Sequence, residues 1–167
     1  MRKPKIAVSA CLLGQKVRYD GGDTKNHFVA NILPKYFDIV TFCPEVEMGM
    51  GVPREPVNLI SSTGTIKMIG TRTDEDFTLL ARRIGGIITN SLADVDGIIF
   101  QKKSPSCGAE KVKIYRNGVL KKMGTGIFAG IFMKQNPDVP YLDSSDLTSF
   151  KNREWFIHQV FSRSSYA

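Results

Sequence analysis

Three cysteines are the residues of this chain with the widest capacity for chemistry. Cys11, Cys43 and Cys107 each follow a short apolar run of the kind that forms a buried strand. Their wide separation excludes a C-x-x-C clip and the spacing of a zinc finger. Thiolate sulfurs bind soft metals and iron–sulfur clusters, and three of them without a fourth ligand leave one coordination position open for chemistry.

The segments beside two of these cysteines are polar and rich in turn residues. Glu45 lies just after Cys43, and Ser104 lies just before Cys107. A cysteine that only fills the core needs no such polar surroundings. Free cysteine is nevertheless among the most buried residue types, so a purely structural role of the three cysteines stays open. Glu45 and Ser104 also have simple structural explanations. Glu45 could be a solvated loop carboxylate, and Ser104 could be a residue that caps the turn at Pro105.

Apolar runs alternate with helical periodicities along the chain and predict the elements that position these residues. The predicted strands are 6–10, 37–42, 97–100 and 139–142. Hairpins are predicted at 57–70, with a turn at Thr63-Gly64, and at 112–122, with a turn at 116–118. The predicted helices are 25–33, a segment from Thr73 to 88, 127–134 and a C-terminal helix at about 149–164.

The sequence also predicts how two of these helices pack. Gly85-Gly86 lies inside the segment that begins at Thr73, and it predicts either a kink or the close approach of a neighbouring backbone. The C-terminal helix is expected to pack four apolar side chains inward, namely Trp155, Phe156, Val160 and Phe161.

Strands that alternate with helices predict the fold class. We expect an α/β single domain, residues 1–167, with a mainly parallel sheet flanked by helices and with hairpin insertions. The carboxyl ends of parallel strands share one edge of the sheet, where ligands of open α/β folds bind. Cys11, Cys43 and Cys107 are therefore expected to converge at that edge.

Length and composition exclude several classes of protein. The chain has 167 residues, a formal charge of +7 and 42% hydrophobic residues, which predicts one globular domain and excludes disorder as the main state. No apolar run approaches the ~18 residues of a membrane span. The odd number of cysteines argues against a disulfide framework, and the apolar run before Cys11 is too short for a secretory signal. These features predict a cytoplasmic protein with no membrane partner.

Other polar residues give weaker signals. Arg54 beside Glu55 is typical of a structural ion pair. The segment Gly124-Thr125-Gly126 precedes a helix and would suit an anion, but it lacks the P-loop lysine and the dinucleotide fingerprint. His27 and His158 are remote from every motif, so neither is expected to be a ligand.

Basic residues cluster in the second half of the chain. The cluster consists of Lys102, Lys103, Lys111, Lys113, Arg116, Lys121 and Lys122. Such a cluster either binds nucleic acid or forms a solvated hairpin face, and the solvated face is the commoner case.

The motifs around the cysteines resemble a bacterial family long catalogued as a domain of unknown function, whose characterised members are iron–sulfur thiouracil desulfurases (desulfidases). The matching segments are VSACLLG at 8–14, VRYDG at 17–21, CPE at 43–45, GMGVPR at 49–54, KSPSCG at 103–108 and GTGIFA at 124–129. They occur in the family's order and spacing, and the resemblance covers about residues 5–133.

The resemblance implies a cofactor, a site and a reaction. It implies a 4Fe-4S cluster held by Cys11, Cys43 and Cys107, with one iron free to take the substrate's sulfur. It places the catalytic carboxylate at Glu45 and the catalytic serine at Ser104. The implied function is non-redox replacement of C=S by C=O in a thiolated nucleobase such as 2-thiouracil, with release of sulfide. The alternative is a basic RNA-binding or tRNA-thiolation-related module whose cysteines hold a structural metal.

Overall fold

The computed structural model describes residues 2–166 and contains two four-stranded sheets. The strands are β1 (Lys5–Ser9), β2 (Asp38–Phe42), β3 (Val57–Ser62), β4 (Thr65–Gly70), β5 (Gly97–Phe100), β6 (Val112–Arg116), β7 (Val119–Gly124) and β8 (Tyr141–Asp143). The helices are α1 (Pro44–Glu47), α2 (Thr78–Ser91), α3 (Ile127–Gln135) and α4 (Phe150–Tyr166). Short 3-10 turns cover Ala10–Leu13, Leu33–Lys35 and Ser144–Thr148, and a π-helical turn covers Phe28–Ile32.

The central sheet has the order β2-β1-β5-β8, and all of its neighbouring strands are parallel. Both faces of the two central strands are covered, which explains why residues 6–8 of β1 and residues 98–100 of β5 are continuous apolar runs. On one face Ala7 and Ile98 pack against α2 and α3, and on the other Ile6 and Val8 pack against α4. The predicted α/β class with a parallel sheet flanked by helices is therefore confirmed.

The two predicted hairpins, β3–β4 and β6–β7, form as expected. They are not separate insertions, because β3 pairs in parallel with β6 and joins them into a second sheet of order β4-β3-β6-β7. This sheet has its own apolar cluster, to which Leu59, Met68 and Ile114 contribute.

The start of α2 differs from its prediction. The helix begins at Thr78, whose backbone N–H donates to the Asp76 carboxylate at 3.0 Å. Thr73 instead donates its hydroxyl to Glu55 at 2.5 Å. Gly85 marks a close approach to α3, since a Cβ there would lie 3.1 Å from Ile131 Cδ1, and α2 continues through it.

The C-terminal helix is confirmed, but its predicted packing is wrong at two positions. Phe156 and Val160 are fully buried, whereas Trp155 and Phe161 are 50% and 43% exposed. The predicted helix at 25–33 is reduced to the π-helical turn and the 3-10 turn that follows it. Within residues 2–166, every helix is too short or too polar to cross a membrane.

Candidate active site at the carboxyl edge of the parallel sheet

Cys11 and Cys43 reach the same edge of the sheet because their strands are parallel neighbours. Ser9, the last residue of β1, lies opposite Phe42, the last residue of β2. Cys11 follows in a 3-10 turn that ends at Gly14, whose φ of 91° favours glycine. Cys43 lies immediately before α1, in extended backbone.

Cys107 reaches this edge from β5, the other neighbour of β1, through a tight turn. Ser104 Oγ accepts the backbone N–H groups of Ser106 at 3.2 Å and Cys107 at 3.0 Å. The carbonyl of Ser104 accepts the N–H of Gly108 at 2.8 Å. A Cβ on Gly108 would lie 2.9 Å from that carbonyl oxygen, so the turn requires glycine. Ser104 thus fixes the backbone that carries Cys107.

The start of α3 holds this turn from the other side. Ile127 N–H donates to the carbonyl of Pro105 at 3.0 Å, and Ala129 N–H donates to the carbonyl of Ser106 at 3.1 Å. A Cβ on Gly126 would lie 2.5 Å from the same Ser106 oxygen. These backbone donors therefore bind the cysteine turn, and they are not available to an anion, for which Gly124-Thr125-Gly126 gives only a weak signal.

The three cysteines line one cavity of about 400 Å³, together with Glu45 and Ser104. This volume lies in the range of small-molecule sites, roughly 300–1,000 Å³. All five residues singled out from the sequence are thus brought together. The histidines are not: neither His27 nor His158 lines this cavity.

Burial dominates the protonation of the thiols. It raises the pKa of Cys11. It also raises the pKa of Cys43. The pKa of Cys107 lies well above its usual range because of burial and the nearby Cys43 and Glu45. The thiols therefore hold their protons until a soft metal displaces them.

Glu45 is held at both carboxylate oxygens. Arg54 donates from Nε at 2.9 Å and from Nη2 at 2.7 Å to Oε2. Ser106 donates its hydroxyl to Oε1 at 3.0 Å. The Arg54 and Glu45 side chains are only 5% and 13% exposed. The expected pair of Arg54 with Glu55 is wrong, because Glu55 binds the segment before α2 instead.

Arg54 also connects the loops that follow β1 and β2. Its Nη1 donates to the carbonyls of Val17 at 2.9 Å and Gly51 at 3.0 Å, and its backbone N–H donates to the carbonyl of Tyr19 at 2.9 Å. Val17 O also lies 3.9 Å from Cys43 Sγ, which donates to it. Arg54 and Ser106 were not predicted, although both lie inside motifs that the sequence displays.

The donor set fits an iron–sulfur cluster. No group of three His, Cys, Asp or Glu side chains in the described part of the chain is placed to hold one metal ion. The three thiols instead surround a shared cavity, and in a 4Fe-4S cluster each cysteine binds a different iron. Soft sulfur donors around a space of this size are the ligands that such a cluster takes.

Comparison with known proteins places the chain in a family. The model of the 2-thiouracil desulfurase family matches residues 6–144. The chain belongs to this 2-thiouracil desulfurase family. The match extends past the predicted limit of 133 and ends before α4.

Two relatives match over most of their length. A solved structure, described as the 4Fe-4S-dependent thiouracil desulfidase TudS, superposes with a TM-score of 0.66 at 28% identity, covering 87% of this chain and 94% of that chain. The uncharacterized protein YbbK of Bacillus subtilis (strain 168) is 30% identical over 135 residues, covering 75% of this chain and 87% of that protein.

Proposed function

We propose that this protein is an iron–sulfur-dependent desulfurase that replaces the thiocarbonyl sulfur of a thiolated nucleobase, such as 2-thiouracil, by oxygen. Water supplies the oxygen and sulfide leaves, so the exchange involves no net oxidation or reduction. The observation that carries the proposal is the convergence of three thiols, a clamped carboxylate and a serine on one cavity, with Cys11 and Cys107 buried and Cys43 half-buried. Membership of the 2-thiouracil desulfurase family supports it.

Cys11, Cys43 and Cys107 are the residues that would hold a 4Fe-4S cluster. When bound, such a cluster supplies an iron without a protein ligand, which acts as a Lewis acid toward the sulfur of the substrate. The protein contributes a largely apolar wall, to which Val17, Phe42 and Pro105 belong. This wall suits a flat heterocycle and limits the access of water.

Glu45 is the proposed proton carrier. Its carboxylate takes a proton from the water that attacks the thiocarbonyl carbon, and it returns that proton to the departing sulfur. The second proton of the water is released to solvent as the carbonyl forms, so the products are the oxygenated base and hydrosulfide. Arg54 and Ser106 hold the carboxylate on the cavity wall before the substrate arrives. This fixed position lowers the entropic part of the barrier.

Ser104 is the proposed hydrogen-bond donor. Its oxygen already accepts two backbone N–H groups, and its own proton meets no acceptor among residues 2–166. Because Ser104 lines the cavity, that proton is available to charge that develops on the substrate.

The experiment uses protein that has been reconstituted with iron and sulfide without oxygen. We expect 4Fe-4S content together with sulfide release from 2-thiouracil. The triple Cys→Ala variant at positions 11, 43 and 107 should lose both. Retention of stoichiometric iron and sulfide by that variant would refute the ligand set, and a loaded wild type without sulfide release would refute the reaction.

RNA binding stays a prediction. The seven basic residues of the cluster between Lys102 and Lys122 are all exposed, and Lys102 and Lys103 also line the cavity. A tRNA-binding assay on the loaded protein, run beside the sulfide assay, tests this alternative.

A further inference from the structure

Gln101 presents an unused hydrogen-bond donor to the cavity. It follows β5 directly, it is only 9% exposed, and it lines the cavity. Its backbone N–H donates to Ser9 Oγ at 3.0 Å, which fixes the residue to the end of β1.

Two hydroxyls fix the orientation of the Gln101 amide. Oε1 accepts from Thr24 Oγ1 at 3.3 Å and from Ser144 Oγ at 3.2 Å. Ser144 Oγ itself accepts the backbone N–H of Lys102 at 3.0 Å, so its own proton is directed to Gln101. The amide oxygen therefore accepts its hydrogen bonds from protein side chains.

The nitrogen of the same amide has no protein partner. Nε2 of Gln101 meets no acceptor among residues 2–166, and no fully buried side-chain nitrogen or oxygen in that range is without a partner. Nε2 therefore reaches open space. Since Gln101 lines the cavity, this open space is the cavity itself.

We infer that Gln101 determines substrate specificity by donating from Nε2 to a carbonyl oxygen on the ring of the substrate. The inference rests on the proposed function and narrows its substrate class to thiolated bases that carry a ring carbonyl. 2-Thiouracil has a carbonyl at ring position 4, whereas 2-thiocytosine has an amino group there. The Gln101 amide and an amino group are both donors, so they cannot pair with each other and both would lose a hydrogen bond. The site should therefore bind the base with the carbonyl more tightly.

Gln101→Glu is the sharpest test of this inference. The new side chain still accepts from Thr24 and Ser144, but it turns an acceptor toward the substrate. Dissociation constants for the products uracil and cytosine are measured on the loaded protein by calorimetry, and kcat/KM is measured for the two thiolated bases. The wild type should prefer uracil, and Gln101→Glu should shift the uracil-to-cytosine affinity ratio toward cytosine by about tenfold or more.

Gln101→Ala serves as a second variant in case the glutamate prevents folding or cluster loading. It should weaken uracil binding by about 3- to 10-fold, and it should strengthen cytosine binding slightly, because it removes the donor that faces the amino group. Equal effects on both bases, an unchanged ratio, or no uracil binding by the wild type would overturn the role of Gln101. Intact uracil binding without sulfide release from 2-thiouracil would overturn the proposed function instead.

Discussion

Replacing Arg54 by methionine removes every side-chain hydrogen bond that fixes Glu45 Oε2 and releases the carbonyls of Val17 and Gly51. Methionine keeps a comparable apolar stem but carries no charge. Glu45 is then left with Ser106 as its side-chain partner, in a position where only 13% of its side chain is exposed.

The expected loss of stability is large. Breaking a buried ion pair by removing one partner costs about 3–5 kcal/mol, because the remaining charge stays desolvated. Activity should also fall, since a displacement of the carboxylate by about 1 Å costs on the order of 100-fold in turnover. Arg54→Lys should recover part of the stability and little of the turnover, because one ammonium cannot reach Glu45 and both carbonyls together.

The assay combines urea unfolding of the cluster-free protein with sulfide release at equal iron content. Arg82→Met is the matched control, since Arg82 is an exposed arginine with a single contact, at 3.3 Å, to the carbonyl of Ile66. If Arg54→Met unfolds at the same urea concentration as Arg82→Met and keeps wild-type turnover, the positioning role of Arg54 is refuted.

Four further predictions concern other positions. Glu45→Gln should keep the cluster but lower turnover by roughly 10²–10⁴-fold, while the exposed neighbour Glu47→Gln should not, and sulfide release per iron decides this. Ser104→Ala should lower turnover per iron by a similar factor and should also weaken iron retention, because Ser104 Oγ holds the backbone that carries Cys107. Gly126→Ala should destabilise the protein and weaken iron retention, measured by melting temperature and iron content, because its Cβ would lie 2.5 Å from a carbonyl oxygen of the cysteine turn. Hydrogen bonds from Thr78 lower the pKa of Asp76 to about 2, so its stabilising effect is present above its unfolded pKa near 3.8 and is lost as the pH falls toward 2. The stability difference between wild type and Asp76→Asn should therefore shrink over that pH range in urea titrations; a constant difference would contradict the pKa shift.

Local patterns were sufficient to predict the parts of the site that depend on single strands. A cysteine that follows a buried strand must lie at the edge where that strand ends, so the convergence of Cys11, Cys43 and Cys107 follows from a parallel sheet. Glu45 lies two residues after Cys43 and Ser104 lies three residues before Cys107, so both reach the same cavity.

Features that depend on long-range packing were not predictable from local patterns. The partner of Arg54 is decided by the path of the 49–54 loop across the site, whereas sequence adjacency favoured Glu55. The pairing of β3 with β6 joins segments far apart in the chain, and no local pattern encodes it. On α4, Phe156 and Val160 are four residues apart and share one face, whereas Trp155 and Phe161 lie about 100° to either side of it.

The last helix and the cysteine-lined cavity both contact the strand β5. Phe156 and Val160 lie so close to Gly97 that a Cβ there would be 2.9 and 2.6 Å from their side chains. The same strand ends at Phe100 and leads directly into Gln101 and the cysteine turn. Proteolytic removal of α4 would therefore loosen one end of a four-residue strand whose other end leads into Gln101, the residue proposed to bind the carbonyl of the substrate. The part of the chain needed to hold the cavity in place therefore extends beyond the family match at residues 6–144. It includes α4, although no residue of α4 lines the cavity.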